Sequence, residues 1–470
     1  MNKAHQFDPT ILREYDIRGV VGETLGAPDA HALGLYFAAV LRKAGGGRVV
    51  VGRDGRLSSP MLETALVEGL TLGGVDVVRI GLAATPMLYF AETSLPQVDG
   101  GIQVTGSHNP GNHNGFKIVL GGRPFFGPDI QRLGATAAAG EGTGALTPGL
   151  VTERDVLSDY VDRLLEGLAG TQVNDIAALR IGWDAGNGAA GPALELLTSR
   201  LTARFGGEHH LLYSDVDGRF PNHHPDPTVL ANLADLQALV AAKNLDFGVA
   251  FDGDADRIGV VDARGRIVDA DQLLAIYARD VLARQPGARV IADVKASRLV
   301  FDTVRALGGQ VEMAPSGHSH IKSRMKATGA LLGGETSGHI FLADDYYGFD
   351  DGLYAAVRLM AASQRLAASV TQLGDLLPAM HNTPELRFPV PDARKFAVID
   401  DVRKRLSAAN VSVDATDGVR VDTPNGWWLL RASNTQAALT ARAESDTAAG
   451  LDALLAQVDS QLAQSGITRG

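Results

Sequence analysis

The sequence predicts an α/β protein with three tandem, doubly wound α/β domains, followed by a smaller C-terminal α+β domain. Three observations predict this fold. A pattern of apolar strand, polar loop and amphipathic helix occurs three times along the 470 residues. Within each repeat, strands and helices alternate at a spacing typical of mainly parallel sheets. After about Leu377 the pattern changes to alternating strands with two amphipathic helices.

The three repeats share one order of elements. Each begins with a strand and a helix, over Val49–Leu70, Ile181–Leu201 and Val290–Leu307. A second strand and a second helix follow, at Val75–Gly81 and Met87–Thr93, His210–Tyr213 and Thr228–Lys243, and Gln310–Ala314 and Ile321–Ala327. A third strand then leads into the loops TGSHNP, DGDADR and GETSGH. Because ligands bind beyond the carboxyl ends of strands in such sheets, we expect the three loops to face one cleft.

The C-terminal segment predicts a domain of a different type. Its strands are expected over Thr383–Val390, Gly418–Asp422, Gly426–Arg431 and Leu439–Ala443, and its helices over Asp392–Leu406 and Ala448–Leu462. Glycine and proline near 145–149, a polar turn at 262–265 and the composition change after Leu377 indicate the domain limits. The predicted domains are residues 1–152, 153–265, 266–378 and 379–470.

Composition and charge exclude several classes of protein. Hydrophobic residues at 45 % and charged residues at 21 % are ordinary globular values, and the absence of cysteine excludes disulfides, thiolate metal sites and a cysteine nucleophile. The net charge of −11 argues against a nucleic-acid-binding protein. The longest apolar stretch, Leu33–Leu41, is too short to cross a bilayer, and Met1–Gly19 lacks a secretory h-region. We therefore expect a cytoplasmic protein without membrane partners.

Glycine is unusually frequent, with 55 residues. Glycine is favoured where the backbone adopts positive φ or approaches another group closely. The sequence therefore predicts loops that surround a ligand.

The loop DGDADR indicates a divalent cation. Asp252, Asp254 and Asp256 alternate at the end of an apolar strand, where a hard cation such as Mg²⁺ would offset their mutual repulsion. An EF-hand is excluded because Arg257 and Ala263 stand where it requires Gly and Glu. A dehalogenase-type aspartate nucleophile fits Asp252 and Asp254, but Asp256 stands where that motif has Thr or Val. A solvated acidic turn is the remaining alternative.

The loop TGSHNP places Ser107 where a strand ends. The hydrolase motif G-x-S-x-G does not fit, because Thr105 and Asn109 occupy its glycine positions. With Lys117 and Arg18 supplying positive charge, this serine is a candidate phosphate carrier. The alternative is a turn that closes the strand by side-chain bonds to the backbone.

Two further loops carry groups suited to a sugar phosphate. Glu335, Ser337 and His339 in GETSGH suit sugar hydroxyls, although polar glycine-rich turns are common. The loop RASNT suits a phosphate dianion through Arg431, Ser433, Asn434 and Thr435. An arginine salt bridge beside an ordinary turn is the alternative there.

Taken together, these motifs resemble the α-D-phosphohexomutase superfamily, and most of all its bacterial phosphomannomutase/phosphoglucomutase members. TGSHNP, DGDADR, GETSGH and RASNT occur in this order after YDIRG, together with DGRFPNHHPDPT, DVKAS and GFDDG. The resemblance covers nearly the whole chain. It implies four domains around one deep cleft and a Mg²⁺-dependent enzyme that interconverts 1- and 6-phosphates of mannose or glucose. The implied reaction uses a phosphoserine and a hexose 1,6-bisphosphate, which is also the expected activator.

The resemblance also implies roles for individual residues. Ser107 would carry the phosphoryl group and bind the metal together with Asp252, Asp254 and Asp256. The other catalytic groups would be His108, Lys117, Arg257, His318 and His339, with the last two as candidates for the general acid and base. The substrate would be bound by Tyr15, Arg18, Lys295, Glu335, Ser337, Arg431, Ser433, Asn434 and Thr435.

Some positions depart from the family pattern. Thr336, His320 and Ala437 replace the residues more usual in relatives, and they affect the expected sugar preference rather than the reaction. A phosphoglucosamine mutase and a catalytically inactive sugar-phosphate-binding protein are the alternatives. Hexose phosphates are the expected partners, and the chain is expected to be a monomer whose C-terminal domain hinges over the cleft.

Overall fold

The computed structural model describes residues 4–141, 147–434 and 436–468, and these residues form four β-sheets. The first three sheets carry helices between their strands, and the fourth is antiparallel. This arrangement confirms the predicted fold class.

The first sheet has the strand order β1-β5-β4-β2-β3-β6. Its elements are β1 (Ile17–Val20), α1 (Ala27–Lys43), β2 (Arg48–Arg53), α2 (Ser59–Leu72), β3 (Asp76–Leu82), α3 (Thr85–Ser94), β4 (Gly100–Val104), β5 (His113–Leu120), α4 (Pro128–Ala139) and β6 (Val151–Glu153). Helices α1, α2 and α4 enclose one apolar core, while α3 packs on the opposite side with residues of the second and third sheets.

The second and third sheets have the orders β11-β10-β9-β7-β8 and β13-β12-β14-β15. The second comprises α5 (Leu157–Leu165), α6 (Val173–Ala177), β7 (Arg180–Asp184), α7 (Gly191–Phe205), β8 (Glu208–Leu212), α8 (Ala234–Lys243), β9 (Phe247–Phe251), β10 (Ile258–Asp262) and β11 (Ile267–Val268). The third comprises α9 (Ala270–Arg284), β12 (Arg289–Asp293), α10 (Arg298–Ala306), β13 (Gln310–Ala314), α11 (His318–Thr328), β14 (Leu332–Gly334), β15 (Ile340–Leu342), α12 (Gly352–Arg365) and α13 (Val370–Asp375).

The fourth sheet lies at the C-terminal end and has its own apolar core. Its elements are β16 (His381–Asn382), β17 (Leu386–Pro389), α14 (Asp392–Ala408), β18 (Val419–Thr423), β19 (Gly426–Ala432), β20 (Ala438–Ser445) and α15 (Ala448–Gln464). The predicted strand Thr383–Val390 is interrupted between β16 and β17, where Pro384 has no amide hydrogen to donate to a sheet. Among the described residues, no helix is both long and apolar enough to span a bilayer.

The first three sheets are mainly parallel, as predicted, with seven parallel and five antiparallel strand pairs. Neighbouring parallel strands number four in the first sheet and three in each of the next two, but the strand after each predicted site loop runs antiparallel to the strand before it. These pairs are β4–β5, β9–β10 and β14–β15. A parallel return needs a crossover of about a dozen residues or more, and the site loops are shorter than that. A second difference is that the helix expected over Thr228–Lys243 begins at Ala234, after a short 3-10 turn over Leu230–Leu233.

Candidate active site

One large cavity, of about 1140 Å³, lies where the carboxyl ends of the strands in the first three sheets meet the fourth domain. Every predicted catalytic and substrate-binding residue that the structure describes lines it. These residues are Tyr15, Arg18, Ser107, His108, Lys117, Arg257, Lys295, His318, Glu335, Ser337, His339, Arg431, Ser433 and Asn434. Thr435 lies outside the described residues. The motifs are far apart in the sequence, and the topology of the sheets brings them together.

Ser107 stands at the end of β4 in a strained backbone conformation. Its φ is +48°, in the left-handed region that residues other than glycine rarely adopt. Its hydroxyl donates a hydrogen bond to Asp252 Oδ2 at 2.8 Å and lies 3.1 Å from His108 Nδ1. Gly253 permits this approach, because a Cβ there would lie 2.5 Å from the Ser107 carbonyl oxygen. The nucleophile candidate and its acceptor therefore come from two different sheets.

Three carboxylates are completely buried beneath the serine. Asp252, Asp254 and Asp256 each place one oxygen within 4.8 Å of the others. Lys117 donates to Asp254 at 2.7 Å and also to Asp256. Thr85 donates to Asp254 Oδ2 through its hydroxyl, whereas Asp254 Oδ1 is buried without a hydrogen bond from the described residues. Asp256 Oδ1 is likewise buried without a hydrogen bond from the described residues. A convergent set of carboxylate oxygens, two of them unsatisfied, fits a hard cation such as Mg²⁺.

The charges in this cluster depend on one another. Burial, together with the neighbouring Asp254 and Asp256, holds the pKa of Asp252 well above its usual value. Burial acts to lower the pKa of Lys117, but the same two carboxylates outweigh it and raise that pKa above its usual value. Lys117 is therefore cationic at neutral pH and offsets part of the negative charge.

The two predicted acid–base histidines differ in charge. Burial acts to lower the pKa of His339, but Asp256 and Glu335 raise it to about 9. Burial, with the positive charge of Lys322, lowers the pKa of His318 below its usual value. The rings stack with centroids 5.5 Å apart. The site thus holds one cationic and one neutral imidazole, the arrangement expected of an acid and a base.

Glu335 is oriented by two groups of its own domain. Its Oε1 accepts a hydrogen bond from the Gly317 amide at 2.6 Å, and its Oε2 lies 3.1 Å from His339 Nδ1. Ser337 Oγ lies 2.9 Å from the same imidazole nitrogen. Burial acts to raise the pKa of Glu335, but the hydrogen bond with His339 lowers it to about 2. This carboxylate therefore stays ionised and able to accept from hydroxyl groups.

The opposite end of the cavity is built by the fourth domain. Arg431, at the end of β19, donates from Nε to Asp417 at 2.9 Å. Asn434 donates to the Tyr15 hydroxyl at 2.7 Å, and Tyr15 in turn donates to the Ser316 carbonyl at 2.7 Å. These bonds connect the first, third and fourth domains at one point.

Lys295 lies between two carboxylates at this end. Its Nζ is 3.7 Å from Asp293 and 3.7 Å from Glu385, beyond hydrogen-bonding distance of either. Its charge therefore remains accessible to an anion.

The sequence analysis did not identify several residues that hold the site. Asp350, which lies 3.2 Å from His318 Nδ1, occurs in GFDDG, and His224 occurs in DGRFPNHHPDPT, two motifs quoted there without a role. Arg56 occurs in the DGR triplet after β2. Asp417 is in a loop whose sequence has no recognisable pattern, so only the structure identifies it as the partner of Arg431.

The positions that depart from the family pattern have different surroundings. Thr336 lines the cavity. His320 packs edge-on against Phe126 and Tyr15, at 5.0 and 5.8 Å between ring centroids. The Ala437 carbonyl accepts a hydrogen bond from Val390. Thr336 is therefore the departure best placed to contact a ligand.

Comparison with known proteins agrees with this geometry. Four segments match the phosphoglucomutase/phosphomannomutase family: alpha/beta/alpha domain I at residues 9–142, domain II at 158–265, domain III at 269–380, and the C-terminal domain at 385–461. These matches cover most of the chain.

Relatives and solved structures match over nearly their whole length. A phosphomannomutase/phosphoglucomutase of Pseudomonas putida is 43 % identical over 442 residues, covering 94 % of this chain and 93 % of the relative. A phosphoglucomutase of Neisseria meningitidis is 42 % identical, covering 94 % of each chain. The crystal structure of a phosphoglucomutase/phosphomannomutase family protein from Burkholderia thailandensis has a TM-score of 0.89 and 40 % identity, covering 97 % of this chain and 98 % of that one. The chain belongs to the phosphoglucomutase/phosphomannomutase family of the α-D-phosphohexomutase superfamily.

Proposed function

We propose that this protein is a Mg²⁺-dependent phosphohexomutase that interconverts the 1- and 6-phosphates of mannose and glucose through a phosphoserine at Ser107. The observation that carries the proposal is the hydrogen bond from Ser107 to the buried carboxylate Asp252, at the floor of a cavity that ends in Arg431. A substrate that is phosphorylated at either of two positions needs a nucleophile near one position and a phosphate-binding site near the other. The two ends of this cavity provide these groups.

The metal would be held by Ser107, Asp252, Asp254 and Asp256. Mg²⁺ bound there would supply electrostatic stabilisation to the phosphoryl group during its transfer. The chain's own contribution is a rigid set of oxygen atoms, because all three carboxylates are buried and fixed by neighbours.

The transfer itself would follow from the charges of the site. The bond between phosphorus and Ser107 Oγ breaks as a bond to the sugar hydroxyl oxygen forms, and the hydroxyl proton passes to the neutral His318. Lys117 and Arg257 offset the negative charge of the transferring group, with His108 beside the serine. The cationic His339 supplies a proton to the leaving Ser107 oxygen. When the other phosphoryl group goes back to Ser107, the serine returns that proton to His339, and His318 returns its proton to the departing sugar oxygen.

The distal phosphate would be bound at the other end of the cavity. Arg431 offers a guanidinium fork that matches phosphate geometry, and Lys295 offers a point charge. The other groups we assign to this phosphate are Tyr15, Ser433, Asn434 and Thr435. Arg18 lies 3.0 Å from the Gly106 carbonyl oxygen, so we assign it to the substrate phosphate at the Ser107 end. Glu335 and Ser337 would hold the sugar hydroxyls, so the bisphosphate can turn over and present its second phosphate to Ser107.

Several finer features belong to the same proposal. Hexose 1,6-bisphosphate would activate the enzyme by phosphorylating Ser107. The enzyme would act as a cytoplasmic monomer, independent of nucleic acid and membranes, with domains at 1–152, 153–265, 266–378 and 379–470. Glu335 and Ser337 favour mannose and glucose over amino sugars.

A substrate panel tests the proposal. Mannose 1-phosphate, glucose 1-phosphate and glucosamine 6-phosphate are incubated separately with the protein and Mg²⁺, with hexose 1,6-bisphosphate added. We expect turnover of the first two sugars, loss of turnover with a chelator, and a mass increase of one phosphoryl group that Ser107→Ala abolishes. Ser94→Ala, a serine of α3 outside the cavity, is the matched control.

Two outcomes would contradict the proposal. Turnover of the amino sugar alone would identify a phosphoglucosamine mutase instead. Absence of both turnover and phosphoryl mass in the wild-type protein would indicate a binding protein without catalysis.

A further inference from the structure

The loop that carries Ser107 is held through its carbonyl groups. The carbonyl oxygens of the five consecutive residues 106–110 each accept a hydrogen bond from a side chain of Arg18, Arg56 or His224. Loops more often expose such groups to water. This loop instead has its whole row of carbonyl dipoles turned towards cationic or polar side chains.

Arg56 makes most of these contacts. Its Nη2 donates to the carbonyls of Ser107 at 2.6 Å and Asn109 at 2.5 Å. Its Nη1 donates to the carbonyls of Pro110 at 2.6 Å and His113 at 2.9 Å. The side chain is completely buried, and lysine could not reproduce this planar set of donors.

Asp54 fixes Arg56 from below. One of its oxygens lies 3.2 Å from Arg56 Nε, and the same oxygen accepts from the Thr105 hydroxyl at 2.8 Å and the Gly106 amide at 3.1 Å. Only glycine fits at position 106, because a Cβ there would lie 2.3 Å from Arg56 Nε. The guanidinium therefore fits one position directly beneath the loop.

The second domain also holds the loop and Arg56. His224 donates from Nε2 to the His108 carbonyl, and the Phe220 ring lies 5.3 Å from the Arg56 guanidinium carbon. Both residues belong to DGRFPNHHPDPT, the motif to which the proposed reaction assigns no role. The loop is thus held from two domains at once.

Two physical effects follow from this arrangement. A non-glycine residue with φ near +48° persists only where its surroundings fix it, and Arg56 binds the carbonyl of that same residue. Carbonyl oxygens also repel phosphate. When they are turned away from the serine hydroxyl, a negatively charged phosphoryl group on that hydroxyl meets less electrostatic repulsion. Neither effect requires contact with the substrate.

We propose that Arg56 and His224 are positioning residues for the phosphoserine, which hold the loop 106–110 in its strained form and direct its carbonyl groups away from the phosphate. This inference rests on the proposed phosphoserine function. It assigns a role to DGR and to DGRFPNHHPDPT that is separate from substrate binding.

The first experiment compares Arg56→Lys with the wild-type protein and with Arg53→Lys. Arg53 is the last residue of β2, three residues before Arg56, but it pairs with Glu63, so it is a matched control. For Arg56→Lys we expect kcat to fall about 100-fold, because small displacements of reacting groups have effects of this size. We expect KM to stay within about threefold, since the substrate-binding groups are untouched.

A second readout separates positioning from general stability. The rate at which hexose 1,6-bisphosphate phosphorylates Ser107, followed by mass spectrometry, should fall in parallel with kcat. Amide hydrogen exchange should accelerate in residues 106–113 and remain unchanged in the fourth domain. A merely structural role would lower the thermal midpoint without this selective change.

The partly buried His224 provides a second pair of variants that does not depend on Arg56. His224→Gln keeps a donor and should retain most of the activity, whereas His224→Ala should lose about tenfold in kcat, as expected for one hydrogen bond. The inference would be overturned if Arg56→Lys and His224→Ala had the same kcat and the same rate of Ser107 phosphorylation as the wild-type protein. Phosphorylation of Ser107 in the wild-type protein would show that the proposed function still holds in that case. A wild-type protein that takes up no phosphate would overturn the proposed function instead.

Discussion

The first three domains are joined to one another more extensively by apolar contacts than the fourth domain is joined to the third. One continuous apolar core extends from α3 through the second and third sheets, and includes Phe90, Trp183, Ile276 and Leu353. The fourth domain has a separate core and joins the third through a small cluster around Trp427. From this difference we expect the domains that carry the reacting groups to move together, and the fourth domain, with the distal phosphate groups, to move relative to them.

Polar contacts join the domains at both ends of the cavity. At the reacting end, the Thr85 amide donates to the Asp254 carbonyl at 2.8 Å, in addition to the side-chain contacts of Ser107 and Lys117. At the junction with the fourth domain, Arg420 donates to the carbonyls of Val294 and Ala296 at 2.7 and 2.9 Å. We expect the fourth domain to move as a unit about this junction when substrate binds.

The largest effect should come from a substitution at the Ser107 end of the cavity. Asp252→Asn removes the acceptor of the Ser107 hydrogen bond and one carboxylate of the metal cluster. Several kcal/mol of charge stabilisation would be lost, so we expect kcat to fall on the order of 10³-fold. Steady-state kinetics with saturating Mg²⁺ measures this, with the surface variant Asp246→Asn as control. An unchanged kcat would remove Asp252 from the mechanism.

The next largest effect should come from a substitution in the fourth domain, at the distal phosphate site. Arg431→Lys replaces a fork by a point charge, so we expect KM to rise about 10- to 100-fold, as for loss of a charge-assisted hydrogen bond, while kcat changes less. The control is Arg403→Lys on the exposed face of α14. If kcat fell and KM did not, the two ends would not differ in the way the structure indicates.

The stability of the protein should depend on pH through Asp351, which connects the second and third domains. The Asp351 carboxyl accepts hydrogen bonds from the hydroxyls of Tyr160 and Tyr346 at 3.0 and 2.8 Å, and burial raises its pKa to about 7. Its usual pKa is about 3.9, so the folded protein favours the protonated carboxyl. That stabilisation is complete below about pH 4 and is lost as the pH rises through 7, by at most about 1.4 kcal/mol per pH unit.

The variant Asp351→Asn tests this expectation, because an amide cannot titrate. The thermal midpoint is measured for both proteins at pH 5 and pH 8. We expect the wild-type protein to lose more stability than the variant over this range. Parallel changes in the two proteins would show that Asp351 does not titrate here.

The smallest effect should come from one hydroxyl group whose two hydrogen bonds connect the first, third and fourth domains. Tyr15→Phe removes the hydroxyl that joins Asn434 to the Ser316 carbonyl. The net contribution of such a bond is about 1 kcal/mol, so we expect kcat/KM to fall about fivefold. Tyr36→Phe, in the core of the first domain, serves as control. Identical kinetics for Tyr15→Phe and its control would argue that this bond does not couple the domains.

Much of the fold could be predicted from the sequence, because strand and helix periodicity is local. The strand that ends at Val104 and the helix over Asp392–Ala408 follow from patterns of a few residues. The direction of the strand after each site loop could not be predicted, since it depends on how the loop turns. The break at Pro384 could have been predicted, since proline has no amide hydrogen to donate, whereas the pairing of both β16 and β17 with β20 could not.

The site divides in the same way. Ser107 and Asp252 were identifiable because each is in a motif with distinctive chemistry at a strand end. Arg56 and Asp417 were not, because their importance lies in which backbone or side chain they reach after folding. The charge states of the histidines were only partly predictable. Glu335 lies four residues before His339 in the same loop, but Asp256 and Asp350, the other carboxylate neighbours of His339 and His318, come from distant segments.

The hydrogen bond from Ser107 to Asp252 has a consequence for protein synthesis. The two residues belong to successive folding units, and about a hundred residues must be translated between completion of the first sheet and Asp252. At about 5–20 residues per second, the ribosome makes the serine on the order of ten seconds before its partner. The Asp54–Arg56 pair, by contrast, emerges within the same unit as the serine. A nascent chain can therefore shape the loop early, yet it contains no assembled reactive centre until the second domain has docked.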